Sequence, residues 1–101
     1  MSKRLNPDVR SGQILAAAVK LAKAKGFTAL TRDSIADEAK VSTGLVSNYF
    51  GSMDAMRNEV MKVAVRDEIL PVVAQGIAAR NRIATRAPIT LRQRALASLA
   101  G

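Results

Sequence analysis

Between Ser42 and Tyr49 the chain reads Ser-Thr-Gly-Leu-Val-Ser-Asn-Tyr, a run of short hydroxyl and amide side chains ending in a phenol. These groups donate and accept hydrogen bonds near neutral pH without exchanging a proton, which suits recognition rather than acid–base work. Asn48 carries an amide that can pair with the edge of adenine, and Thr43 can donate or accept. Gly44 and Ser47 keep the same surface slim. Leu45 is open to two roles, an outward contact with a thymine methyl or inward packing beside Val46. Tyr49 can offer its hydroxyl to a phosphate. Cations flank the run: Arg32 and Lys40 before it, and Lys3, Arg4 and Arg10 in an N-terminal arm that can follow a nucleic-acid backbone or enter its minor groove. For any single lysine or arginine, a solvated surface charge is the plain alternative.

Other chemistry is poorly provided for. The chain has no histidine and no cysteine, which removes imidazole bases, thiolates, disulfides and the usual zinc ligands together. Asp33, Asp37 and Glu38 cluster in one segment, but carboxylates near a helix start are ordinary complements of its dipole. Nothing pairs a nucleophile with a base, so an enzyme is the poorest fit and no cofactor is expected. Sixteen Lys and Arg stand against eight Asp and Glu, a formal charge of +8. Such a balance draws polyanions, nucleic acid before an anionic membrane. No apolar run approaches the roughly 20 residues that cross a bilayer, and the basic start is not followed by the apolar segment of a signal peptide. A cytoplasmic protein without a membrane partner is expected.

The elements that must position these residues are all helical. Ile14, Ala17, Ala18, Leu21 and Ala22 fall on one face, with Gln13, Lys20 and Lys23 off it. Asn6 and Pro7 supply a cap and a first turn, and Gly26 a stop, which gives a first helix from about Pro7 to Lys25. Phe27 and Leu30 then plug the core. Thr31 caps a short helix, Arg32 to Ala39, with Ile35, Ala36 and Ala39 inward. Lys40-Val41-Ser42 is a tight turn, and Ser42 caps a third helix, Thr43 to Phe50, braced by Val46 and Phe50. Ser52 caps a fourth with Met53, Met56, Val60 and Val63 on one side, and Pro71 should kink or end it. From Ile69 onward there are five arginines, Arg80, Arg82, Arg86, Arg92 and Arg94, and no acidic residue. Two further helical pieces are expected there, about Val72 to Ala84 and Ile89 to Leu99.

The fold expected is therefore an all-α, three-helix helix-turn-helix bundle with a fourth helix and a short helical C-terminal extension. Residues 1–52 form the arm and reading head. Residues 53–101 form the connecting helix and a basic extension, a dimerisation region within one compact domain. The second of two short helices joined by a three-residue turn, slim and polar outside and apolar inside, fits the major groove of DNA. Ser42, at its start, belongs to the same surface.

The string from Ile14-Leu15-Ala16-Ala17-Ala18 through Gly26-Phe27, Thr31, Ile35-Ala36, Ala39, Val41-Ser42, Gly44 and Tyr49-Phe50 resembles the N-terminal domain of the TetR family of transcriptional repressors. It covers about residues 10 to 65. The resemblance implies a homodimer whose reading helices enter successive major grooves of a palindromic operator. It maps base and phosphate contacts to Arg32, Thr43, Gly44, Leu45, Ser47, Asn48 and Tyr49. Three positions depart from the family: Ser47 where an aromatic, most often tyrosine, is usual, Met53 where a lysine is usual, and Lys40 where a turn glycine is common. The first two remove a ring and a cation that grip phosphate, shifting weight to the arm and the basic C-terminal half. Lys40 accepts the turn at a small strain cost.

Family members usually carry a larger second domain that binds an inducer and forms the dimer interface, and too few residues follow the fourth helix here for both. No small-molecule effector is expected, and Val72, Val73, Ile77, Ile83, Ile89, Leu91, Leu96 and Leu99 are the apolar residues available for dimerisation, unless ordinary packing within the chain uses them. The function expected is a sequence-specific repressor acting by promoter occupancy on a double-stranded operator, of a size that suits a plasmid or phage regulator. The alternatives are a protein-interaction module such as an antirepressor or adaptor, a non-specific nucleoid-type binder, and a membrane-surface peptide. The last is disfavoured by arginines spread around the helices.

Overall fold

A computed structural model describes residues 7–100, and every regular element among them is helical. In order these are α1 (Pro7–Lys25), a single 3₁₀ turn (Phe27–Ala29), α2 (Arg32–Ala39), α3 (Thr43–Phe50), α4 (Met53–Arg66), α5 (Leu70–Ala78), α6 (Arg82–Thr85) and α7 (Ile89–Ala100). Asn6, Lys3 and Arg4, read above as a cap and an arm, lie outside the described residues.

Local chemistry sets the first four helices. The α1 stripe of Ile14, Ala18, Leu21 and Ala22 is buried, and Gly26 ends the helix with φ 103°. The 3₁₀ turn carries Phe27 and Leu30 into the core. Thr31 and Ser34 form a reciprocal cap at α2: Thr31 Oγ1 accepts from the Ser34 amide at 3.0 Å, and Ser34 Oγ accepts from the Thr31 amide at 3.0 Å. Ser42 Oγ accepts from the Leu45 amide and Ser52 Oγ from the Ala55 amide, each at 3.1 Å. A cap of this kind contributes about 1 kcal/mol by answering an amide the helix leaves unpaired.

The second half departs from the sequence reading at three places. Pro71 does not end α4. That helix stops at Arg66, Glu68 turns left-handed with φ 54°, and the Ile69 amide closes onto the Ala64 carbonyl at 2.8 Å. Pro71 instead sits in the first turn of α5, where its missing amide proton forfeits no hydrogen bond. Nor does one helix run from Val72 to Ala84. Arg80 turns left-handed with φ 60°, the Asn81 amide returns to the Gly76 carbonyl at 2.8 Å, and Asn81 Oδ1 caps α6 by accepting from Ile83 and Ala84. On α4 the buried set is Met56, Val60, Met61 and Ala64, while Val63 lines an open groove against α1.

One hydrophobic cluster spans the molecule, from Ile14 of α1 to Ala95 of α7, with Val72, Val73 and Ala74 of α5 fully buried in it. α5 packs along α7 and against α4 and α6. The crossing depends on Gly76. A Cβ there would run into the Met61 side chain and lie 2.9 Å from the Ala84 Cβ. Gly76→Val is therefore expected to lose about 1–3 kcal/mol of stability by overpacking, read as a lowered urea midpoint at unchanged slope. Pairing it with Met61→Ala should recover part of that loss, because Met61 supplies the nearer obstacle.

Candidate nucleic-acid interface

α2 and α3 meet through Lys40, Val41 and Ser42. Lys40 is left-handed, φ 60° and ψ 45°, so the Val41 amide reaches the Ala36 carbonyl at 3.0 Å and the Lys40 amide that of Asp37 at 3.2 Å. This closure answers the last carbonyls of α2 and reverses the chain within three residues. A lysine in that conformation costs roughly 1–2 kcal/mol relative to a glycine. Its ammonium stands exposed at the corner.

α3 has two distinct sides. Val46 is 1 % exposed, and Leu45, Tyr49 and Phe50 pack half-buried against the core. Thr43, Gly44 and Asn48 are exposed, and Ser47 is half-exposed beside them. Residues 43, 44, 47 and 48 occupy one helix face, and nothing bulkier than threonine or asparagine stands on it. Leu45 thus takes mainly the inward of its two roles, keeping part of its surface in solvent. Tyr49 rests its ring on the core.

Two of the cations read above as phosphate contacts, Arg32 and Arg10, are partly buried. Arg32, in the first turn of α2, extends one terminal nitrogen to the Gly51 carbonyl at 3.4 Å, while its Nε is buried without a hydrogen-bond partner. The guanidinium is thereby held between the start of α2 and the corner before α4, with other N–H donors left for an anion. Arg10 is half-buried, its Nε likewise buried and unpaired. Met53, at the start of α4, packs half-buried against the core rather than presenting a polar tip.

The sequence reading missed Arg57. One turn into α4, it donates to the Leu30 carbonyl at 3.3 Å and pairs with Asp54 at 3.4 Å. That bond ties α4 to the residue before the α2 cap. The only sequence signal for it was a cation one turn past the Ser52 cap, which does not reveal a contact 27 residues away.

The apolar residues assigned to dimerisation separate by burial. Val72, Val73 and Leu91 are buried inside the chain, and Ile77 and Ile83 pack on its core, so these five serve the fold itself. Ile89, Leu96 and Leu99 of α7 stay 59 %, 48 % and 60 % exposed. Among the described residues no group of three His, Cys, Asp or Glu is arranged to hold a metal ion, and no helix is long and apolar enough to cross a membrane.

Residues 14–60 match the family model described as bacterial regulatory proteins, tetR family. Among curated proteins, the HTH-type transcriptional regulator BetI of Burkholderia ambifaria (strain MC40-6) is 32 % identical over 74 residues, covering 73 % of this chain and 38 % of that protein. BetI of Paraburkholderia phymatum is 33 % identical over 89 residues, covering 88 % of this chain and 42 % of that protein. The chain thus spans about two fifths of the length of these relatives. No solved structure matches it.

Because Asn48 is exposed and makes no contact that supports the fold, Asn48→Ala should leave thermal stability within about 0.5 kcal/mol. On a duplex carrying the preferred site it is expected to lose roughly 1–3 kcal/mol of binding, and little on random DNA. Competition binding on the two duplexes measures the difference. Unchanged preference after both Asn48→Ala and Thr43→Ala would remove α3 from the reading role.

Proposed function

Residues 14–60 belong to the TetR family of bacterial regulatory proteins, and from that premise we propose that this chain is a sequence-specific, DNA-binding transcriptional repressor that works as a homodimer by occupying a palindromic operator. The observation that carries the reading is the two-sided α3. Val46 fixes its inner side in the core, while Thr43, Gly44 and Asn48 stand in solvent on a face narrow enough for the major groove. The net charge of +8 supplies the attraction to duplex DNA that precedes any reading of bases. Repression follows from occupancy, since a dimer seated on a promoter excludes polymerase. The site of action is the cytoplasm, and switching needs no small molecule within these residues.

The dimer surface is the outer side of α7. Ile89 and Leu96 lie two helical turns apart and Leu99 follows one turn on, an exposed apolar row shared with Arg92, whose Nε is turned to the Ala87 carbonyl. A second copy of the same stripe is self-complementary, as a two-fold interface requires.

Two measurements test this reading. Selection from random duplexes should recover a two-fold symmetric motif with half-site centres about one helical turn or more apart. Equal retention of selected and scrambled duplexes would instead favour a nucleoid-type binder or an interaction module. By analytical ultracentrifugation the chain is expected to sediment as a dimer, and Leu96→Arg with Leu99→Arg as a folded monomer. A wild type that stays monomeric on and off DNA removes the dimer.

A further inference from the structure

We propose that the cleft between the start of α4 and the α5–α6 corner is a second phosphate clamp, in which Arg57, Arg80 and Arg82 grip the backbone of the duplex beside the stretch read by α3. The proposal rests on the DNA-binding reading above. The cleft holds about 660 Å³, and Asp54, Arg57, Asn58, Arg80, Asn81 and Arg82 line it. It contains three guanidinium groups and one carboxylate. Asp54 is 93 % exposed and pairs with Arg57 at 3.4 Å, a contact that solvent weakens. The local balance is two positive charges.

The five C-terminal arginines are not alike. Arg94 is bound to Glu68 at 2.8 Å, and Arg92 donates through Nε to the Ala87 carbonyl at 2.9 Å. Arg80, Arg82 and Arg86 are exposed and form no ion pair among the described residues, and of these Arg80 and Arg82 line the cleft. Their backbone, by contrast, is fixed. Asn81, between them, donates through Nδ2 to Asn58 Oδ1 of α4 at 3.0 Å and caps α6 by accepting at its side-chain Oδ1. Two unpaired cations are thus mounted on a corner that is pinned to α4.

That corner adjoins the reading head. Arg57 joins α4 to the Leu30 carbonyl, one residue before the α2 cap, while Arg32 joins the start of α2 to Gly51, one residue before the α4 cap. Arg32 and Arg57 are thus fixed at the starts of α2 and α4, and Arg57 shares its cleft with Arg80 and Arg82. The occupant is a sugar–phosphate backbone rather than a nucleotide. The one ring in the lining, Phe27, is 2 % exposed and offers no face for a base to stack on. A clamp here supplies cationic grip that Met53, packed on the core, does not.

The test is the salt dependence of binding by the full chain to its selected duplex and to a scrambled one. Each lost phosphate contact lowers the magnitude of the negative slope of log K against log salt by about 0.9. Arg80→Gln with Arg82→Gln should lower it by roughly 2, so that its deficit against wild type shrinks about tenfold between roughly 50 and 200 mM salt. Both duplexes should weaken alike, with sequence preference kept. Arg94→Gln removes one charge away from the cleft and should leave the slope in place, and circular dichroism should show all variants folded.

A wild-type slope in the folded double variant overturns the clamp. So does protection of the wild type against heat by inorganic phosphate, lost in the double variant while the DNA slope is unchanged, since the cleft would then serve a free anion. If the wild type binds DNA without preference and the double variant still flattens the slope, the clamp stands and operator reading falls. Absence of DNA binding by the wild type overturns both.

Discussion

When α1 ends at Gly26, the backbone amide of Phe27 is left without a carbonyl from its own helix. The acceptor comes from 48 residues further along, where Gln75 Oε1 of α5 meets it at 2.6 Å. A half-buried amide left unanswered costs about 1–3 kcal/mol, so the corner between α1 and α2 is bonded to the C-terminal half of the chain. Phe27 and Leu30 enter the core from that corner, and Thr31, which follows it, caps α2. α2 and α3 take their orientation from packing on α1 and on each other, and the bond from α5 fastens the corner that leads into them. Reading head and extension are parts of one packed body, and the single apolar cluster from Ile14 to Ala95 expresses the same fact in terms of burial.

Within that body the two sides of α3 carry different demands. Inward, Val46, Phe50 and most of Leu45 hold the helix against the core. Outward, small polar groups keep the surface low enough for another molecule to approach closely. The grip around it is supplied from unequal sources. Arg32 and Arg57 are pinned to backbone carbonyls at the α2 and α4 ends, whereas Met53 has joined the core. Beyond Arg57, the cations Arg80 and Arg82 stand exposed at the α5–α6 corner.

What the sequence made legible was local. The boundaries of α1, α2 and α3 follow from Gly26, Thr31, Ser42 and Gly51, residues whose side chains or φ angles act within one turn. The outward set on α3 follows from helical spacing alone. Less visible were the breaks after α4 and α5, because their left-handed residues are Glu68 and Arg80, where a glycine would have announced the stop. Pro71 was ambiguous for a related reason, since proline is compatible with the end of one helix and the first turn of the next. Asn81 was a readable cap that the apolar spacing around Ile77 and Ile83 obscured. The bonds of Gln75 to Phe27 and of Arg57 to Leu30 span 48 and 27 residues, and no local pattern encodes them. The dimerisation set was overfull for the same reason: periodicity marks Val72, Val73 and Leu91 as apolar but does not say which neighbour covers them.

The Gln75–Phe27 bond also orders events during synthesis. Chains leave the ribosome N-terminus first, at roughly 5–20 residues per second. Helices α1 to α4 emerge before Gln75, yet the corner after α1 lacks its acceptor until that residue follows. At those rates the delay between Phe27 and Gln75 is roughly 2–10 s. During it, a basic nascent segment is already exposed while the Phe27 amide waits for its acceptor. On the DNA-binding role proposed above, attraction to nucleic acid thus precedes the closing of the corner between α1 and α2.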